Sequence, residues 1–210
     1  MCPACRRGSR SETMGLTALR GLLAGVLLCL AFTADATPAL VDAARAQIGV
    51  TVRYDPAYVR LSYPDGDVPD DRGVCTDVIV RALRTQDLDL QRAIHEDMRS
   101  AFAAYPRDWD ARAPDRNIDH RRVPNQMRWF ERQGWQRAIG TRAADFNAGD
   151  IVAWRLRSGQ LHIGIVSDRR SAAGTPLILH NIARGTREDD LLFGHTIIGH
   201  YRPQLAAAAR

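Results

Sequence analysis

The chain has 210 residues, 45% of them hydrophobic and 25% charged, with a formal net charge of +5. That length, even after loss of a leader, suffices for one domain with a real core. All 29 basic residues are arginine. The modest positive balance permits attraction to anionic polymers such as cell wall, and no aromatic-plus-basic motif for stacking single strands is present, so no nucleic-acid partner is expected.

Residues 1–36 read as a secretory signal peptide. Arg6, Arg7, Arg10 and Arg20 form a basic start. Gly21 to Phe32 is an apolar run of signal-core length, too short to span a bilayer, and Ala34-Asp35-Ala36 supplies a small-x-small cleavage pattern before Thr37. Met14 is an alternative start. Leu28 stands before Cys29 where a lipobox carries a small residue, which argues against lipidation. Residues 37–210 are then the mature domain: periplasmic or secreted, without a membrane anchor after cleavage, and monomeric.

The mature chain changes texture near Gly140. Before it, helical periodicity is expected over Ala39 to Ile48, Val74 to Leu83, Leu90 to Ala104 and Val123 to Gly134, with Pro124 in a first turn and Gly134 as a stop. Tyr54 to Asp71, with Pro56, Pro64, Gly66 and Pro69, reads as a loop-rich crossing, and Pro106 to His120 as irregular. After it, strands are expected over Asp150 to Trp154, Leu161 to Ser167, Leu177 to Ile182 and Thr196 to Tyr201, and Glu188, Asp189 and Asp190 as a solvated acidic loop. Helices followed by an antiparallel meander give an α+β class, with N-terminal helices packed on a C-terminal antiparallel sheet.

Signal removal takes Cys2, Cys5 and Cys29 and leaves Cys75 as the single thiol, in a compartment where cysteines tend to be paired. Cys75 falls in the first turn of its helix, just after Gly73, where free backbone N–H groups favour a thiolate and a lowered pKa. His162 opens a strand and is the candidate base. His180 on the next strand is the candidate group orienting it, with Asn181 in reserve because neighbouring strand residues face opposite ways. Asp77 is a candidate substrate contact, or else serves the helix N-terminus. The segment around Asp119, His120, Arg121 and Arg122 reads as a polar wall for substrate, its arginines suited to a carboxylate. Upstream, Tyr63 is a further substrate-side candidate.

The series Gly-x-Cys at a helix start, Gly149-Asp150-Ile151-Val152, His162-Ile163-Gly164-Ile165-Val166 and Ile178-Leu179-His180 resembles the NlpC-type cell-wall cysteine peptidases. Those papain-like bacterial enzymes cut peptidoglycan stem peptides. The resemblance implies a papain-like fold, a Cys75, His162, His180 triad, peptidoglycan or a related amide as substrate, and no cofactor or metal. It also implies that a tyrosine before the nucleophile lends an oxyanion contact. Val74-Cys75-Thr76-Asp77 departs from the Asp-Cys-Ser/Thr-Gly pattern of that family, and the segment from Asp87 to His120 is additional to its minimal domain. The wider chain, including His95-Glu96-Asp97-Met98, Asn117 to Val123 and Gly199-His200-Tyr201, resembles the exported bacterial family catalogued as domain of unknown function 1287. Two rivals are a metal-dependent hydrolase built on His95, Asp97, Asp119 and His120, and a non-catalytic wall-binding module.

Overall fold

A computed structural model describes residues 36–205. The expected signal core, Cys29 and the Ala-rich tail at 206–210 lie outside the described residues. Four helices come first: α1 (Ala36–Arg45), α2 (Cys75–Arg84), α3 (Leu90–Ala101) and α4 (Val123–Arg132). Asp89 starts α3 by accepting the N–H groups of Gln91 and Arg92, and Pro124 sits in the first turn of α4, where a missing N–H costs nothing. Gly134 follows α4 at φ 72°, a left-handed conformation suited to glycine.

The crossing before α2 is more ordered than its prolines suggest. Two short strands, β1 (Arg53–Tyr54) and β2 (Arg72–Gly73), pair in parallel within it. One side chain gathers the crossing onto α2. The Arg81 guanidinium donates to Asp67 (Nε to Oδ2, 2.9 Å), to Thr51 Oγ1 (2.8 Å) and to the carbonyl of Arg72 (3.0 Å). Backbone groups that a loop would leave to water are thus satisfied from the helix.

The remaining strands are β3 (Ile151–Arg155), β4 (Leu161–Arg170), β5 (Pro176–Asn181), β6 (Thr186–Asp189) and β7 (Thr196–Tyr201). They form a five-stranded antiparallel sheet in the order β6-β5-β4-β3-β7. The class is α+β. Two details correct the sequence reading. The last strand does not extend the meander; it returns to the far edge, against β3. The acidic segment is not a solvated loop but contains the edge strand β6. Its polar residues hid it, and they are neutralised within the fold. Glu188, for example, accepts from Ser167 and from Arg45 (3.2 Å) and Arg169 (3.2 Å).

Both sheet faces are covered. Ile151, Ala153, Ile163, Ile165 and Leu179 join Val78, Ile79, Leu83, Ile94 and Phe130 of the helices in one cluster. Phe146, Val152, Trp154, Val166, Ile178 and Leu192 form a second. Each fully buried side chain of this size contributes about 1.5–3 kcal/mol of transfer free energy. Strands apolar on both faces show no simple alternation, which is why sequence could not fix where His180 points.

Candidate functional site

Cys75 is the first residue of α2, and three groups fix the chain around it. Asp77, in the same first turn, accepts the N–H of Val74 (Oδ2, 2.6 Å), the reach-back half of a capping box whose other half a valine cannot supply. Arg121 grips the same carboxylate in a fork (Nε to Oδ1 2.9 Å, Nη2 to Oδ2 3.0 Å), with both side chains 2% exposed. Asn181 donates to the carbonyl of Gly73 (2.9 Å) and accepts from the N–H of Gly185 (3.1 Å), tying the entry of α2 to the turn after β5. A Cβ at Gly73 would meet Asp77 Oδ2 at 2.9 Å and Asp77 Cβ at 3.1 Å. Gly73→Ala is therefore expected to cost about 1–3 kcal/mol, as overpacking does, read as a fall in urea midpoint at unchanged slope.

His162 and His180 meet on adjacent strands, Nε2 to Nδ1 at 3.0 Å, with ring planes 84° apart. Beyond them Asp189 of β6 takes the other nitrogen of His180, Nε2 to Oδ2 at 3.1 Å. This chain fixes the tautomers. An ionised carboxylate only accepts, so His180 Nε2 carries a proton. The lone pair of neutral His180 is then on Nδ1, which accepts from His162 Nε2. His162 is left with its lone pair on Nδ1, the state a general base requires. Arg187 also donates to Asp189, and together with His180 it holds that carboxyl below the usual carboxylate range against the opposing effect of burial.

Burial dominates the electrostatics. It lowers His162 to about 3, aided by the neighbouring His180, and His180 to about 4 despite Asp189. Both imidazoles are neutral at physiological pH. Burial also pushes the Cys75 thiol up to about 12; the N–H of Ile163 works against this, the Asp77 carboxylate adds to it, and the N–H groups of Thr76 and Cys75 oppose it. The sequence expectation of a lowered thiol pKa is thus reversed. The helix N-terminus acts as anticipated, but at 5% exposure desolvation of the thiolate outweighs it.

Cys75 and His162 open onto one cavity of about 660 Å³. No hydrogen bond joins them directly among the described residues. Tyr54, Trp109, Arg121, Arg122, Gln160 and Leu161 are among the other groups lining it. The candidates from sequence divide accordingly. His180 contacts His162; Asn181 does not, and has a structural place instead. Asp77 and Arg121 neutralise each other, and Arg121 also donates to the carbonyls of Ala57 (3.1 Å) and Asp55 (3.2 Å), so its fork is not free for a substrate carboxylate. Asp119 is buried beneath the wall, accepting the N–H of Asp115 (2.5 Å), and His120 is 2% exposed, with burial lowering it to about 4; neither lines the cavity. Tyr63 is also away from it, edge-on to His95 at 5.3 Å between ring centroids. Of the two, Tyr54 rather than Tyr63 lines the cavity. Burial, with help from Cys75 and Asp77, raises its hydroxyl to about 12, so it remains a donor.

The rival metal ligands are dispersed. Asp97 is held by Arg132 (2.6 and 2.8 Å) and Tyr105 (2.5 Å), and among the described residues no three or more His, Cys, Asp or Glu side chains are grouped to hold an ion. Two residues of the site were not singled out from sequence: Asp189, hidden by its acidic neighbours, and Trp109, by the irregularity of its segment. Among the described residues no helix is long and apolar enough to cross a membrane.

Comparison with known proteins gives kinship without an activity. No solved structure matches significantly. A curated relative, "Uncharacterized protein YijF" of Escherichia coli (strain K12), is 54% identical over 169 residues, covering 80% of this chain and 82% of the relative. The family model described as "Domain of unknown function (DUF1287)" matches residues 41–203, nearly all of the domain that carries the thiol and the histidine chain, and the protein belongs to that family.

Proposed function

We propose that the protein is an exported, papain-like cysteine hydrolase of NlpC type that cleaves peptide or amide bonds in peptidoglycan. The observation that carries this reading is that the single thiol of the described domain shares a cavity with a neutral histidine whose tautomer is set through His180 and Asp189. The placement of Cys75 at a helix start and of His162 and His180 on successive antiparallel strands supports the papain-like arrangement.

In the proposed reaction Cys75 Sγ attacks the scissile carbonyl while His162 Nδ1 accepts the thiol proton. The resting pair is thiol and imidazole rather than thiolate and imidazolium, because burial disfavours both charged forms. Proton transfer therefore accompanies attack. The oxyanion is stabilised by the Cys75 N–H, which has no acceptor within its own helix, and by the Tyr54 hydroxyl. His162 then protonates the leaving amine, and water hydrolyses the thioester by the reverse sequence. His180 keeps His162 in the correct tautomer and disperses its transient charge toward Asp189.

Incubation with muropeptides, with products read by mass spectrometry, tests the activity. The pH profile tests the mechanism. Since His162 and His180 are depressed to about 3 and 4, the acid limb of kcat/KM is expected well below 5, not at the ordinary histidine value near 6.5. Stability carries the same signature. Between pH 6.5 and about 4 the unfolded chain binds protons that the folded histidines refuse, so stability falls with falling pH, by up to about 1.4 kcal/mol per unit for each histidine. A limb at 6.5 that persists in His180→Ala would rule out a buried neutral base.

The low exposure of Cys75 also favours a second reading, a wall-binding module without turnover. Binding of muropeptides with no products, under conditions that keep Cys75 reduced, would select it.

A further inference from the structure

The cavity holds its charge unevenly. Its lining includes two arginines and no aspartate or glutamate. The charge of Arg121 is matched by Asp77 in the buried fork. That of Arg122 is matched poorly. Among the described residues the only hydrogen bond of its guanidinium is a 3.4 Å contact from Nη1 to Asp119 Oδ1. The Asp119 carboxylate is also shared, its other oxygen accepting the Asp115 N–H. A guanidinium has five donors, so among the described residues most of this fork has no protein partner at the cavity wall.

The same guanidinium lies over the ring of Trp109, 4.5 Å from its centroid. Trp109 is 60% exposed, so apolar burial does not explain its position. Its backbone is left-handed (φ 61°), as is that of Asp110 (φ 54°), a conformation disfavoured for residues with a Cβ. A left-handed Trp109 that holds an exposed indole over an under-paired arginine is the kind of outlier that accompanies ligand contact. Stacking fixes the plane of the guanidinium and leaves its edge for a planar, bidentate acceptor. Asp108 and Asp110 beside Trp109 are exposed and outside the cavity lining.

We infer that Arg122, stacked on Trp109 at the wall of the cavity, is a specificity residue that selects peptides bearing a free carboxylate near the bond presented to Cys75. This rests on the hydrolase reading for its biological meaning but is measurable without turnover. The test uses the Cys75→Ala protein and two probes: a synthetic wall stem peptide with its carboxylates free, and the same peptide with them amidated. The acidic peptide is expected to bind at least about tenfold more tightly, the scale of a charge-assisted hydrogen bond, and the preference is expected to shrink as salt rises. Arg122→Gln should level the two peptides. Arg122→Lys should restore part of the preference, as a point charge without the fork, and Trp109→Leu should weaken the acidic peptide alone. Equal affinities, no binding of either peptide, or a preference that survives Arg122→Gln would overturn the inference. The expected binding pattern from a wild-type protein that cleaves neither peptide would uphold the subsite and sink the hydrolase. Cleavage of both peptides at equal kcat/KM would do the opposite.

Discussion

Replacing Cys75 with alanine is expected to lower muropeptide hydrolysis by at least about 10⁴-fold, the scale on which removal of a covalent nucleophile acts. The fold should survive, since a sulfur is lost from a packed position and nothing charged is left unpaired. Cys75→Ser should be nearly as inactive. Its hydroxyl is a poorer nucleophile than the thiol, and the site offers no lowered pKa in compensation: burial already pushes the thiol up to about 12. For the same reason iodoacetamide should modify Cys75 more slowly than a free cysteine at pH 7 and faster as the pH rises, with activity lost in step with labelling. Retained hydrolysis in Cys75→Ala would end the thiol mechanism. Rapid labelling at pH 6 would contradict the buried neutral pair and favour a preformed thiolate.

The sequence carried the elements better than their connections. Periodicity located α2, α3 and α4 and four of the five strands of the main sheet, because each has a continuous apolar stripe or run. It missed β6, whose Thr186-Arg187-Glu188-Asp189 carries no apolar signal and is ordered by pairing with β5 and by ion pairs from Arg45, Arg169 and Arg187. That omission also concealed Asp189, because the end of the histidine chain depends on an edge strand no local rule announces. Arg121 was misread in a related way. An arginine-rich turn suggests ligand contact, but only the tertiary structure reveals that a carboxylate 44 positions earlier has taken the fork. The helix-start cysteine was read correctly in place and wrongly in charge state, since local sequence reports the helix dipole and not the depth at which it acts.

His180 and Asn181 are neighbours on β5, both fully buried, and their substitution should separate chemistry from architecture. His180→Ala removes the acceptor that holds the proton on His162 Nε2. The freed ring can then move its proton to Nδ1, which abolishes the lone pair meant for the thiol. Turnover is expected to fall by about 10³-fold or more, comparable to the loss seen when the orienting member of a catalytic triad is disabled. KM should change little, because His180 is outside the cavity lining. Asn181→Ala should behave otherwise. It strands the buried Gly185 N–H, worth about 1–3 kcal/mol when left unsatisfied, and removes one of the two bonds to the Gly73 carbonyl, which keeps the Asp55 N–H at 3.1 Å. For a domain of this size that predicts a Tm lower by about 2–12 °C. The residual folded protein should retain most of its kcat, since the histidine chain is untouched. Thermal melts paired with steady-state kinetics on both variants distinguish the roles. If Asn181→Ala instead lost turnover at an unchanged Tm, Asn181 would be the orienting residue, and the 3.0 Å contact between the two imidazoles would be packing alone.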